Sequence, residues 1–237
     1  MKYGKSISYK YIFGCSDGFQ KIFDVNIDPE TLILQNPPED NLPEWTKLKN
    51  FKCSHCPLNE AEHTYCPVAT NLSKIISFFE DVPSFQQVKI TVVAPERSYV
   101  KAADVQTGIS SLLGLIMASS GCPVVGKLKS LVKFHLPFAT IEETEFKIFS
   151  MYLLAQYFKM KKGGEPDWEM KKLNELYNDI MILNKNVAEK IAEVENKDAS
   201  INAVVVLNNF ADSVTFGLDM DAMEHLEEIF ADLVNLS

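Results

Sequence analysis

The chain of 237 residues is 46% hydrophobic and 23% charged, which excludes a disordered or low-complexity protein and allows a substantial core. A formal net charge of −9 and a single arginine, Arg97, argue against nucleic acid as a partner, because phosphate recognition relies on basic side chains. The longest apolar stretch, GISSLLGLIMASSG at 108–121, is too short to cross a bilayer, so we expect a buried core helix and no membrane span.

The N-terminal segment predicts an antiparallel meander sheet. Apolar and polar residues alternate along 7–13 and again along 19–27, with the turn residues GCSDG between the two runs, which is typical of a hairpin. The sequence Asp-Pro-Glu-Thr at 28–31 predicts a second turn, and Leu32 and Leu34 then suggest a third strand. Three strands joined in chain order would form the meander.

A helix and one more strand are expected before residue 100. Leu72, Ile75, Ile76 and Phe79 recur at helical intervals, and Pro83 should end that helix. Alternation along 88–92 predicts a strand. We therefore predict a small α+β unit over residues 1–100.

The remainder of the chain, 101–237, has a helical pattern and predicts a mostly α-helical bundle, either as a second unit or continuous with the first. One helix is marked by a capping box, Thr140 to Glu143, and by the helix stop Gly163-Gly164. The predicted helices start near 105, at 141, near Trp168 (running to Val194 with an apolar stripe that is typical of a bundle core), near 200 and near 220.

Residues 51–69, FKCSHCPLNEAEHTYCPVA, contain three of the five cysteines and two of the four histidines. Cys53 and Cys56 form C-x-x-C, and His63 and Cys66 form H-x-x-C, a spacing at which each pair can bind one ion. Pro67 suits the first position of the following helix, which places Cys66 at its N-cap, where the helix dipole favours a thiolate. We expect a closed, tetrahedral structural zinc site made of these four residues.

Two alternatives use Cys122. Cys56, Cys66 and Cys122 are each followed by proline, as is the last ligand of bacterial cluster-binding runs, so Cys122 could be the fourth ligand of an iron–sulfur cluster. Cys122 could instead be a catalytic or redox-sensing thiol at a helix start. A helix over 123–133 would hold His135 about 16 to 18 Å away, so a base would have to be His55 or His63.

These patterns together predict a non-enzymatic metal-binding protein. An odd number of cysteines without a secretory signal indicates metal or redox chemistry in the cytoplasm and not a disulfide framework. We expect zinc as the cofactor, with an iron–sulfur cluster as the alternative, and a protein partner or a homodimer held through the helices.

Overall fold

The computed structural model describes residues 6–14, 18, 20–35, 41–194, 198–219 and 224–235. Four strands come early in the chain and long helices follow, which confirms the α+β class. The strands are β1 (Ile7–Gly14), β2 (Gln20–Ile27), β3 (Gln87–Val93) and β4 (Ser98–Asp104), and the helices are α1 (Leu48–Phe51), α2 (Pro67–Phe78), α3 (Val105–Ser119), α4 (Ser130–Lys133), α5 (Ile141–Lys161), α6 (Lys171–Val194), α7 (Asp198–Asp219), α8 (Glu224–Ile229) and α9 (Ala231–Val234). Single turns of 3-10 helix lie at Glu44–Thr46 and Val125–Leu128.

The four strands form one antiparallel sheet in the order β2-β1-β3-β4. The predicted hairpin is confirmed, and its first strand is central because β1 pairs with β2 on one side and β3 on the other. Tyr9, Tyr11 and Phe13 all point to the buried face of β1, as their two-residue spacing requires. The strand predicted at 88–92 is confirmed within β3.

The predicted meander is wrong, since the segment after the second turn does not add a strand. Leu34 makes only an isolated bridge to Ile27. The backbone of Leu32 has φ 59°, a left-handed conformation that cannot continue an extended strand. The turn itself is present, because the Asp28 carboxylate accepts hydrogen bonds from the backbone N–H of Glu30 at 3.0 Å and of Thr31 at 2.7 Å.

Helix α3 covers the buried face of the sheet and confirms the predicted core helix. Ile109, Leu112 and Leu113 are almost inaccessible to solvent. Asp104 ends β4 and caps α3, and its carboxylate accepts a hydrogen bond from the Thr107 backbone N–H at 3.1 Å. The strand-to-helix junction therefore depends on one side chain that satisfies a free N–H of the first helical turn.

Replacing Asp104 with alanine should lower the free energy of unfolding by about 1 kcal/mol, because an N-cap side chain contributes about that much. Asp104→Asn is the matched control, since asparagine caps a helix equally well and should leave stability near the parent value. Urea denaturation followed by circular dichroism measures both variants. Equal losses in the two would show that the carboxylate charge, and not capping, is responsible.

The later helices confirm most of the predicted ones. The Thr140 hydroxyl accepts from the Glu143 N–H at 3.1 Å and the Glu143 carboxylate accepts from the Thr140 N–H at 2.8 Å, so the capping box is present. The segment 123–133, considered above as a possible single helix, instead contains a 3-10 turn and the four-residue α4. The last predicted helix, 220–234, contains two short helices, and its first residues lie outside the described part of the chain.

The chain divides into two compact units, and the division falls within α6 and α7. Unit 1 consists of Met1–Phe138 with Ile182–Leu207, and unit 2 of Ala139–Met181 with Asn208–Ser237. The predicted boundary at residue 100 stays a prediction. No helix in the described ranges is long and apolar enough to cross a membrane.

Candidate functional site

Four of the five cysteines lie around one small cavity in unit 1, although they come from separate segments of the chain. Cys53, Cys56, Cys66 and Cys122 are all free thiols. The cavity has a volume of about 10 Å³, close to the least that holds one water molecule. Mainly apolar residues complete its lining, among them Phe51, Leu58, Val68, Val124, Leu183 and Val187, together with Lys52. The fifth cysteine, Cys15, lies outside the described residues.

The first two thiols are placed by a tight turn. The backbone N–H of Cys56 donates to the carbonyl oxygen of Cys53 at 3.0 Å. A turn of this length brings the side chains of residues three apart toward each other, which is the reason that C-x-x-C pairs act together in proteins. Both cysteines are only half-buried, so they are the thiols of the cluster that are accessible from solvent.

The third and fourth thiols lie deeper in the fold than the first two. Cys66 is the N-cap of α2 with Pro67 at its first position, which confirms that part of the prediction, and is 8% exposed. Cys122 follows Gly121, whose φ of 89° favours glycine, and is 7% exposed. The carbonyl of Cys122 accepts from the Gly126 N–H at 2.9 Å, which fixes the segment that holds the thiol.

Asn186 of helix α6 connects the thiol cluster to the second half of that helix. Its side-chain amide donates to the Phe51 carbonyl oxygen at 3.1 Å and to the Cys53 sulfur at 3.4 Å. Leu183 and Val187 place the apolar stripe of α6 against the same cavity. The sequence contains no signal that singles out Asn186, because it is one of several polar residues on an amphipathic helix.

Burial raises the pKa of Cys53, Cys66 and Cys122, and at Cys66 it outweighs the helix dipole. The pKa of Cys53 rises to about 12, because of burial first and of the neighbouring Cys66, Cys122 and Cys56 second. Burial also raises the pKa of Cys66 to about 11, although the backbone N–H groups of Ala69 and Val68 lower it in part. The pKa of Cys122 is raised for the same reason. The thiolate predicted at the Cys66 N-cap is therefore wrong, because its raised pKa keeps this thiol neutral at pH 7, and the raised pKa of Cys122 disfavours the alternative of an activated thiol there.

The predicted metal-binding function, with structural zinc, is wrong. Among the described residues, no group of three or more His, Cys, Asp or Glu side chains could hold a metal ion. His63, expected as a ligand beside Cys53, Cys56 and Cys66, is exposed and does not line the cavity. The thiols instead surround a space that is barely large enough for one water molecule, and mainly apolar side chains complete the lining.

A family model described as Domain of unknown function (DUF6901) matches residues 7–231. The chain belongs to this family. Searches of the curated proteins and of the solved structures found no match. The DUF6901 match spans both units, so the thiol cluster of unit 1 and the helices of unit 2 belong to one family domain.

The other histidines of this DUF6901 chain do not complete a thiol–histidine pair in the described structure. His135 lies in a separate polar group, where its Nε2 is 2.6 Å from the Tyr11 hydroxyl, and it does not line the cavity. His55 lies between Cys53 and Cys56 in sequence, and both of its ring nitrogens are buried without a hydrogen-bond partner. His225 is in a part of α8 whose side chains are not described.

Proposed function

We propose that unit 1 of this protein is a thiol–disulfide switch, in which Cys53 and Cys56 are oxidised and reduced reversibly. One observation carries the proposal: four free thiols, three of them from residues 53–66 and Cys122 from a distant segment, surround one small cavity whose lining is otherwise mainly apolar. A free cysteine is often a buried small apolar residue, but that role does not require four of the five cysteines at one point. A group of neighbouring thiols is suited to exchange with a disulfide.

Cys53 and Cys56 are the pair that we expect to react. They share the turn in which the Cys56 N–H donates to the Cys53 carbonyl oxygen, and they are half-buried, whereas Cys66 and Cys122 are buried. A small oxidant in solution reaches the more exposed sulfurs first. Burial, and after it the neighbouring Cys66 and Cys122, raise the pKa of Cys53 and so keep the reduced form protonated.

The oxidant that we propose is a low-molecular-weight disulfide such as oxidised glutathione. The Cys56 thiolate attacks one sulfur of this disulfide and releases one thiolate, which takes up the proton that Cys56 lost. The Cys53 sulfur then attacks the Cys56 sulfur and releases the second thiol, which carries the proton from Cys53. The protein loses two electrons and two protons, and the oxidant gains both.

Oxidation of the thiol pair should also change the contact between Cys53 and helix α6. The Asn186 amide donates to the Cys53 sulfur, and Leu183 and Val187 pack at the same cavity. When Cys53 bonds to Cys56, its sulfur moves toward the turn and the contact with Asn186 weakens. We propose a cytoplasmic location, because a reducing compartment keeps such thiols free until the oxidant concentration rises.

Titration with mixtures of reduced and oxidised glutathione tests the switch. We expect the protein, carrying Cys15→Ser so that only the four cavity thiols are present, to lose two thiols cooperatively. Peptide mapping by mass spectrometry should find the two lost hydrogens in the peptide that contains residues 53–56. The Cys15→Ser protein without oxidant is the reference, and its metal content is measured on the same sample.

Single variants identify the reacting pair. Cys53→Ser and Cys56→Ser should each abolish the cooperative loss of two thiols, whereas Cys66→Ser and Cys122→Ser should keep it. Retention of all four thiols under fully oxidising conditions would overturn the proposal. Iron with the visible absorption of an iron–sulfur cluster in anaerobically purified protein would overturn it as well, because the thiols would then be ligands.

We also propose that unit 2 mediates self-association through α5. The observation that favours it is the number of large apolar side chains that this helix leaves exposed: Ile141, Phe146, Leu154, Tyr157, Phe158 and Met160 are 42% to 54% exposed. Only Ile148 and Phe149 of α5 are buried. A helix that buries so little of its apolar surface in its own fold is typical of an interface. Light scattering over a concentration series tests it, with a dimer as the expected state.

A further inference from the structure

The exposed residues of α5 include a stripe whose two ends have opposite charges. The stripe is therefore complementary to a second copy of itself that runs in the opposite direction. Glu143, Phe146, Ser150, Leu154, Tyr157 and Lys161, which we name the α5 stripe, are all exposed and are spaced three or four residues apart. At 3.6 residues per turn this spacing places them on one side of the helix, away from the buried Ile148 and Phe149. The stripe is acidic at its first residue, apolar in the middle and basic at its last.

We infer that two copies of this chain associate through their α5 stripes in antiparallel orientation, an inference that rests on the proposed self-association. In a two-fold symmetric pair each contact occurs twice, so residue i of one copy faces residue j of the other and the reverse. With the symmetry axis near residue 152, Glu143 of each copy faces Lys161 of the other. The charges at both ends of the stripe are then complementary.

The middle of the stripe fits the same arrangement by size. About the same axis, Ser150 of one copy faces Leu154 of the other, so a small side chain meets a large one at each side of the centre. Alternating small and large residues allow two helices to approach closely and fill the space between them. Tyr157 lies on one side of this centre and Phe146, whose ring stacks on Phe230 of its own chain, on the other, and their remaining exposed apolar surfaces would leave water on association.

A parallel pair would not have these contacts. Glu143 would face Glu143 and Lys161 would face Lys161, and like charges that face each other weaken association. Within one helix the two residues are about 27 Å apart at 1.5 Å per residue, well beyond the screening length of about 8 Å at physiological salt. Any energetic coupling between Glu143 and Lys161 therefore has to come from a second copy.

A double-mutant cycle on dimer dissociation, measured by analytical ultracentrifugation, tests the orientation. Lys161→Glu should weaken the dimer by about three- to tenfold, because it places two like-charged pairs across the interface. Glu143→Gln keeps the capping box, since glutamine also fits that position, and by itself should have a small effect. In the Lys161→Glu background, Glu143→Gln should instead strengthen the dimer, because it removes the repulsion.

Three further variants show whether the effects depend on the stripe. Lys159→Glu makes the same charge change in the same helical turn but on the opposite side of α5, and should leave dissociation unchanged. Leu154→Glu should weaken the dimer by more than about tenfold, because it places a charge at the centre of an apolar contact. Phe85→Glu changes an apolar side chain that is 74% exposed in unit 1 and should have no effect.

The outcomes distinguish the orientation from the self-association on which it rests. A dimer that Leu154→Glu disrupts, but in which the Glu143 and Lys161 effects simply add, would overturn the antiparallel pairing and leave self-association in place. A protein that is monomeric at every concentration would overturn both. Circular dichroism of each variant must match the parent, so that a change in dissociation is not a change in folding.

Discussion

Gly108→Ala should destabilise the protein by about 1 to 2 kcal/mol, although alanine normally favours a helix over glycine by about 1 kcal/mol. Gly108 lies in α3, where the helix meets the sheet. A Cβ atom at this position would be 2.4 Å from Cε1 of Phe13 and 2.8 Å from Cδ1 of Ile90. Both distances are far shorter than a van der Waals contact, so a side chain or the helix must move.

The neighbours of Gly108 have little room to move, which decides the sign of the effect. Phe13 is 2% exposed and packs edge-on against Phe79, with ring centroids 4.8 Å apart, and Ile90 is fully buried. Overpacking of this kind usually costs about 1 to 3 kcal/mol, and here it outweighs the gain in helix propensity. Urea denaturation followed by circular dichroism measures the change.

Two further variants test the cause of the loss. Gly126→Ala is the matched control, because the nearest atom to its added Cβ is the Ala118 carbonyl oxygen at 3.9 Å, an ordinary contact, and its effect should stay within about 0.5 kcal/mol. Phe13→Leu in the Gly108→Ala background should recover part of the loss, since it makes space for the Cβ. Equal stability of Gly108→Ala and the parent would contradict the packing that we describe between α3 and the sheet.

Local patterns in the sequence predict the elements that local interactions determine. The hairpin follows from alternation around a glycine-containing turn, and α5 begins where the Thr140–Glu143 capping box ends the preceding loop. The apolar stretch at 108–121 is long enough to bury as a helix and becomes α3. In each case the residues that carry the signal are neighbours in the chain and also in the fold.

Elements that depend on distant partners could not be predicted in the same way. The strand β4 has no alternation to detect, because it lies at the sheet edge and exposes most of its residues, including Val100 at 59%. The order β2-β1-β3-β4 depends on the pairing of β1 with β3, which comes more than seventy residues later. Leu32 and Leu34 look like a strand by spacing, but the left-handed backbone at Leu32 excludes one.

The candidate site was predicted in part, for the same physical reason. Cys53, Cys56 and Cys66 are close in sequence, and the structure brings them to one cavity. Cys122 joins them through the packing of α3 and the segment that follows it, which the sequence indicates only by a shared Cys-Pro dipeptide. Sequence spacing also cannot measure burial, so it indicated lowered thiol pKa values where the structure raises them.

The melting temperature of unit 1 should be constant up to about pH 8 and should fall steeply above about pH 9. The cause is the raised pKa of the buried acids. Thiols have an ordinary pKa near 9.0, but that of Cys53 is about 12 and that of Cys66 about 11 in the folded protein. Burial also raises the pKa of Tyr9 from 10.0 to about 12.

The sign follows from counting protons in each state. Below pH 9 these groups are protonated in both the folded and the unfolded chain, so their contribution to stability is fully present. Between about pH 9 and 12 the unfolded chain loses protons that the folded chain keeps, so the unfolded state binds fewer protons and stability falls as the pH rises. The loss is complete only above the folded pKa values.

Thermal melting with a phosphine reductant, from about pH 7 to 10.5, measures the effect without disulfide formation. Cys66→Ala should flatten the decline above pH 9, because it removes a group whose pKa rises on folding, even if it lowers stability at pH 7 by leaving a small cavity. The comparison is therefore between slopes and not between single melting temperatures. Cys15→Ser serves as the control for removal of a cysteine outside the described residues. A decline equally steep in Cys66→Ala and in the parent would show that the Cys66 thiol is not buried as a neutral group. A melting temperature that stays constant to pH 10.5 would contradict the burial of Cys53, Cys66 and Tyr9 together.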